Sequence, residues 1–223
     1  MENTKIKSGL EGVYNFHHTN RRGDFFLVLG QERGSFLKEK VGTGKNVVDI
    51  GCRDGALTAY YEKGNTVLGC DIDSEALARA EKSLGIATKQ MDLNADWDLS
   101  KNTYDAVVAA EVVEHLYYPG SVFEKVNAIL KPDGIFVGSI PHAFSLQNRI
   151  KLLFGSKSGT PLQDPTHINQ FCHKEFKALL EKQFPYVEIR GITSPRYKFL
   201  TPIFPFFFAH DILFYAKKEE HMG

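Results

Sequence analysis

The stretch VVDIGCRDG, residues 47–55, ends an apolar run in Asp49, then sets Gly51 and Gly55 around Cys52, Arg53 and Asp54. Glycines at a strand-to-helix turn remove Cβ atoms and let the backbone approach a ligand closely. Asp71 closes the next apolar run 20 residues after Gly51 (71 − 51), the separation at which an acid meets a ribose diol. Together these residues describe a site for a nucleoside-containing cofactor. A dinucleotide would want G-x-G-x-x-G, so that a pyrophosphate could rest on the helix N-terminus; this chain has G-x-x-x-G with Arg53 inside it. Further on, EVVEH places Glu111, Glu114 and His115 at i, i+3 and i+4, on one face if that turn is helical. Two carboxylates and an imidazole suit a divalent ion, and His167 in DPTHINQF could approach as a further ligand. Without a metal, His115 is the first choice for a general base, because it follows an apolar run directly and imidazole titrates near neutral pH. His142, in SIPH, is the second. A plain hydrogen-bonding role remains open for both.

The elements that must position these residues follow from hydrophobic periodicity. From residue 46, short apolar runs alternate with helix-period stretches, the pattern of parallel strands joined by crossover helices. NVVDI, TVLGCDI, IATKQMD, YDAVVAAE and IFVGSI read as strands, and YVEIRGI and HDILFYAKK follow later. ALTAYYEKG reads as a helix with Leu57, Tyr60 and Tyr61 on one face; SEALARAEKSL reads as another, capped by Asp73 and stopped by Gly85. SVFE has the capping-box spacing for a third. Residues 1–45 are expected to be a partly helical addition packed on a core formed by residues 46–223.

Composition bounds the function. The chain has 223 residues, 43% hydrophobic and 24% charged, with 27 basic and 27 acidic side chains. No global basic field is available to hold nucleic acid. Three widely spaced cysteines suit a reducing compartment, and MENTKIKSGLEG has no apolar signal core. The apolar run FLTPIFPFFFAHDILFYA is interrupted by Pro202, Pro205, His210 and Asp211, a poor spanning helix. A cytoplasmic protein is expected. The PIFPFFF portion is expected to lie in the core or beneath a hairpin, with an apolar wall or a membrane-surface contact as the alternatives.

The ordered set VVDIGCRDG, VLGCDID, QMDLN, YDAVVAAEVVEHLYYP, ILKPDGIFVGSIPH, DPTHINQFCHKEFKALLEKQF and DILFYAKK resembles class I S-adenosylmethionine (SAM)-dependent methyltransferases, nearest to the branch of ubiquinone-pathway O-methyltransferases and related small-molecule and glycan methyltransferases. The resemblance implies an α/β fold, a Rossmann-like three-layer sandwich whose seven-stranded, mostly parallel sheet has an antiparallel last strand. It implies that Asp49 and Gly51, with Cys52, Arg53 and Gly55 in the same motif, lie against the methionine part of SAM. Asp71 would take the ribose, with Ile72 beside the adenine, and Asp92 with Leu93 would meet the adenine amino group. Glu111 would border the cofactor and acceptor pocket. Members usually carry glycine at the position of Arg53, whose guanidinium would either cover the methionine carboxylate or face solvent.

The same resemblance bears on the metal. Small-RNA 2'-O-methyltransferases hold an ion on a Glu-x-x-Glu-His set with a distant histidine, whereas many metal-free members carry a similar E-H pair; a divalent ion on Glu111, Glu114, His115 and His167 is therefore not the favoured reading. The expected reaction is methyl transfer from SAM to an oxygen of a small-molecule or glycan acceptor. The rivals are an NAD(P)-dependent oxidoreductase and a methyltransferase-like partner protein without turnover. His17, His18, Arg21 and Arg22 read as a solvated polar turn, with closure over the pocket on an anionic or hydroxylated acceptor as the alternative, and residues 13–24 and about 155–168 are expected to act as lids.

Overall fold

The computed structural model describes residues 9–19, 23–25, 27–193, 199 and 203–219. Seven strands form one sheet: β1 (Asn46–Ile50), β2 (Thr66–Asp71), β3 (Ala87–Gln90), β4 (Tyr104–Ala110), β5 (Leu130–Pro141), β6 (Tyr186–Thr193) and β7 (Ala209–Lys217). Their order is β3-β2-β1-β4-β5-β7-β6, with β7 antiparallel to both its neighbours and the other pairings parallel. The expected α/β sheet and its reversed last strand are both present. Strand order reverses between β1 and β4, which opens the crevice beyond their carboxyl ends where ligands of such sheets bind.

Helices cover both faces, so central strands are apolar on consecutive positions: Val47, Val48 and Ile50 are buried, as are Ala106 to Ala109. On one face, α4 (Pro119–Ile129) and α6 (His173–Leu180) enclose an aromatic core of Phe123, Phe136, Phe176 and Phe214. On the other, α2 (Gly30–Val41) inserts Phe36, Leu37 and Val41 against Val47, Val108 and Val137, and α3 (Ser74–Leu84) adds Ala80. Asp73 caps α3 by accepting from the N–H groups of Glu75 and Ala76, and Gly85 ends it at φ 68°, as expected.

Three local expectations are corrected. The helix expected after β1 shrinks to a 3-10 turn, Thr58–Tyr60. Asp49 draws in the hydroxyls of Thr58 and Tyr61 at 2.6 and 2.5 Å, and α2 occupies the space beside the turn. Contact there is close enough that a Cβ on Gly34 would lie 2.4 Å from the Tyr60 ring. The SVFE box does not start α4: the N-cap is Tyr118, three residues before Ser121, and Pro119 begins the helix without a side-chain cap, using its fixed φ at the first turn. The PIFPFFF run is not core: Ile203, Phe204 and Phe207 are exposed, and Phe206 stacks on His173 at 4.2 Å. Among the described residues, no helix is long and apolar enough to cross a membrane.

Candidate functional site

A cavity of about 720 Å³ opens over the carboxyl ends of β1, β2, β3, β4 and β5. At its β1–β3 end, Asp49, Gly51, Cys52, Arg53, Asp71, Ile72, Asp92 and Leu93 all contribute to the wall. The glycine turn is anchored by the N–H groups of Gly51 and Cys52, which donate to the Cys70 carbonyl at 2.7 and 3.1 Å. Gly51 has φ 71°, and a Cβ there would lie 2.4 Å from Val112, so the turn and EVVEH are packed as one piece. Gly55, expected at the cofactor, is not in the wall. Its Cβ position faces Leu84 at 2.6 Å, so its φ of 81° serves the approach of α3.

Asp71 accepts from the backbone N–H of Arg53 at 2.8 Å on one oxygen and from that of Asp73 at 2.9 Å on the other. Each oxygen retains a second lone pair for a ligand hydroxyl. Burial raises the Asp71 pKa, and it pushes Asp49 up to about 6 against the hydrogen bonds from Thr58 and Tyr61. Asp92 holds Asn94 through its backbone and side-chain nitrogens at 2.9 and 3.2 Å. Burial likewise raises the Cys52 thiol, which makes it an apolar wall residue rather than a nucleophile. Arg53 adopts φ 52°, and its guanidinium does not face solvent. It donates to the Gly23 carbonyl and lies 3.4 Å from Asp54, while Asp54 accepts from the Phe25 N–H at 2.7 Å.

The N-terminal segment closes the cavity. In α1 (Gly9–His17) and the turn after it, Asn15 donates to Glu75 at 3.0 Å and His18 Nδ1 lies 3.0 Å from Asp73, fixing the segment across the start of α3. His17 Nε2 lies 3.3 Å from Asp164 Oδ2, which joins both expected lid segments. Burial disfavours the charge on Asp164, yet its hydrogen bonds from Thr166 and the nearby His167 and His17 outweigh it and hold the carboxyl below the usual range. Arg21 and Arg22 lie outside the described residues.

EVVEH does not form the expected helical turn. Its only helical piece is a 3-10 turn, Val113–His115, because Glu111 extends the β4 register: its N–H donates to the Ser139 carbonyl at 2.9 Å and it takes φ 60°. Glu111 therefore turns away from Glu114 and His115. It accepts from Ser139 Oγ at 3.0 Å and lies 3.5 Å from Arg33 Nη1. The remaining members do meet: ligand atoms of Glu114, His115 and His167 lie within 4.8 Å of one another. His115 Nδ1 is 2.9 Å from the Thr166 carbonyl, a contact that places a proton on Nδ1, so that in the neutral ring the lone pair is on Nε2. Tyr14 packs edge-on to His115 with ring centroids 5.7 Å apart, and burial pushes its hydroxyl up to about 12.

His142 is not at the cavity. It is 1% exposed, Nδ1 faces the Ala209 carbonyl at 3.2 Å, and burial lowers its pKa to about 4. Its position at the end of β5 turns it toward α6 instead, where its ring lies 5.9 Å from that of His173. Sequence reasoning missed Tyr14, Arg33, Asp164 and Asp211, all wall residues. Tyr14 and Asp164 stood within the two segments singled out as lids, whereas Arg33 and Asp211 did not.

A family model for a methyltransferase domain matches residues 25–183. The ubiquinone biosynthesis O-methyltransferase of Pseudomonas fluorescens is 32% identical over 116 residues, 48% of this chain and 50% of the relative. That of Sodalis glossinidius is 32% identical over 133 residues, 56% and 50% of the two chains. The chain thus spans about half the length of the curated relatives it matches. A SAM-dependent methyltransferase from Archaeoglobus fulgidus superposes with a TM-score of 0.66 at 19% identity, covering 92% of this chain and 99% of its own.

Proposed function

The chain belongs to the methyltransferase-domain family, with SAM as its cofactor, and we propose that it transfers the SAM methyl group to a hydroxyl oxygen of a small-molecule or glycan acceptor. In this reading Asp71 holds the ribose diol, Ile72 and Leu93 flank the adenine, and Asp92 meets its amino group. Asp49 and the Gly51–Arg53 turn lie along the methionine part. The acceptor occupies the other half of the cavity, beneath α1 and residues 159–167.

The reaction is an in-line displacement. The acceptor oxygen attacks the methyl carbon, an O–C bond forms as the C–S bond breaks, and the electron pair returns to sulfur. The hydroxyl proton passes to His115 Nε2. The enzyme's share is alignment and exclusion of water, together with the base. The observation that carries this reading is the His115 imidazole, its tautomer set by Thr166 and its ring lining the cavity between the glycine turn and the two covering segments.

The test is calorimetry with S-adenosylhomocysteine and NADH, followed by labelled-methyl transfer across acceptor classes. S-adenosylhomocysteine should bind and raise the melting temperature, and His115→Gln should lower turnover while leaving that binding intact. NADH binding in its place, or no S-adenosylhomocysteine binding at millimolar concentration, would overturn the proposal.

A second reading is favoured by the convergence of Glu114, His115 and His167. One carboxylate and two imidazoles suit Zn²⁺ or Mn²⁺ better than Mg²⁺, which prefers an all-oxygen shell. Bound there, the ion would act as a Lewis acid that lowers the pKa of an acceptor hydroxyl. Exhaustive chelation followed by metal readdition separates the readings. Full activity after chelation leaves His115 as base alone, and loss restored by metal but absent from His167→Ala assigns the ion.

A further inference from the structure

Opposite the cofactor end, the cavity wall contains a buried guanidinium between two carboxylates. Arg33 comes from α2, Glu111 from the end of β4 and Asp211 from β7, where it pairs with Pro141 at the end of β5. Arg33 and Asp211 are 3% and 5% exposed. Arg33 Nη1 lies 3.5 Å from Glu111, and Nη2 donates to the Val28 carbonyl. The remaining edge is incomplete: Arg33 Nε faces Asp211 Oδ2 at 3.9 Å, beyond hydrogen-bond distance. Both atoms are buried with no hydrogen-bond partner among the described residues.

Buried charges are normally compensated by well-made hydrogen bonds, so two facing, unmade ones mark a place where a third group belongs. That group must satisfy a donor and a carboxyl oxygen together. A hydroxyl does so whether Asp211 is ionised or protonated, since it both donates and accepts. An ether or carbonyl satisfies both atoms only when Asp211 is protonated, an ammonium cannot accept from Arg33, and an anion would meet two carboxylates around a guanidinium that Glu111 already neutralises, so a hydroxyl is the group that fits in either state.

We propose that Arg33 and Asp211 form a hydroxyl-reading slot in the acceptor half of the cavity, so that the acceptor carries a second, uncharged hydroxyl besides the one that is methylated. The inference rests on the methyl-transfer reading and deepens it.

The experiment uses the full chain saturated with S-adenosylhomocysteine and three probes: resorcinol, 3-methoxyphenol and phenol. Resorcinol should bind about tenfold or more tighter than the other two, the range for a hydrogen bond to a charged group. Asp211→Leu should erase the preference. Arg33→Lys, which keeps the charge but removes Nε, should reduce it and serves if the leucine variant does not fold. Equal affinities in the wild type, meaning that the slot holds only water, would overturn the inference; so would no binding of any probe, or an undiminished preference in a folded variant. If S-adenosylhomocysteine binds and the probes are not distinguished, the slot alone fails. If S-adenosylhomocysteine does not bind, the methyl-transfer reading fails with it.

Discussion

Two buried groups, Asp49 in β1 and His142 just after β5, should make stability respond to pH in opposite directions. Asp49 has a folded pKa of about 6 against an ordinary 3.8. Being raised, it contributes stability that is fully present below its unfolded value and is lost as pH rises through 6. His142 has a folded pKa of about 4 against 6.5. Being lowered, it costs stability as pH falls from 6.5 toward 4, because the unfolded chain takes a proton that the buried imidazole does not. Each slope is about 1.4 kcal/mol per pH unit where its two states differ by a full proton, and the two windows overlap. Between pH 7 and 4, Asp49 therefore adds about 2 kcal/mol and His142 removes about 3 kcal/mol, so wild type hides both. Asp49→Asn should expose the histidine and lose about 2 kcal/mol more than wild type on acidification; His142→Gln should lose about 3 kcal/mol less. The assay is urea unfolding of the ligand-free chain at half-unit steps across that range, compared as differences from wild type so that unmutated groups cancel. Differences that do not change with pH would refute the burial argument for both residues.

Asp71→Ala should weaken S-adenosylhomocysteine binding by about 1 to 3 kcal/mol, the range for hydrogen bonds to a charged group, as read by calorimetry. Gly51→Ala combines a positive φ of 71° with a Cβ placed 2.4 Å from Val112, so it should cost about 2 to 5 kcal/mol in unfolding free energy. Val112→Ala in the same chain should recover the overlap part alone, and full recovery or none would contradict the stated division.

The sheet was legible because strands covered on both faces must be apolar in succession, and the turn at Gly51 and the acid at Asp71 mark the ends of two such runs. EVVEH was legible only in part. Its spacing fits a helix, but Glu111 still obeys the β4 ladder through its bond to Ser139. Main-chain pairing across 28 residues decided where that carboxylate points. Arg33 carried no signal at all. In GQERGSFLKEK it reads as one more surface charge, and it is buried because its partners Glu111 and Asp211, 78 and 178 residues away (111 − 33 and 211 − 33), converge on it. Gly55 was placed at the cofactor turn for a related reason: it answers to distant packing, against Leu84.

The cavity's charge follows from the same contacts. Seven carboxyl groups, Asp49, Asp54, Asp71, Asp92, Glu111, Asp164 and Asp211, line it beside two arginines, and both arginines are engaged, Arg33 with Glu111 and Arg53 with Asp54 and the Gly23 carbonyl. Burial raises Asp49, Asp71 and Asp211, which limits the negative charge of the empty site. A cation entering among them favours their ionised forms and so lowers those pKa values, and by linkage the same ionisation strengthens binding of the cation. SAM carries a sulfonium as well as an ammonium group, whereas the product keeps only the ammonium. In the proposed binding mode the acidic wall would favour the reactant over its product by electrostatics, without any contact to the sulfur, and methyl transfer itself would remove part of what holds the cofactor in place.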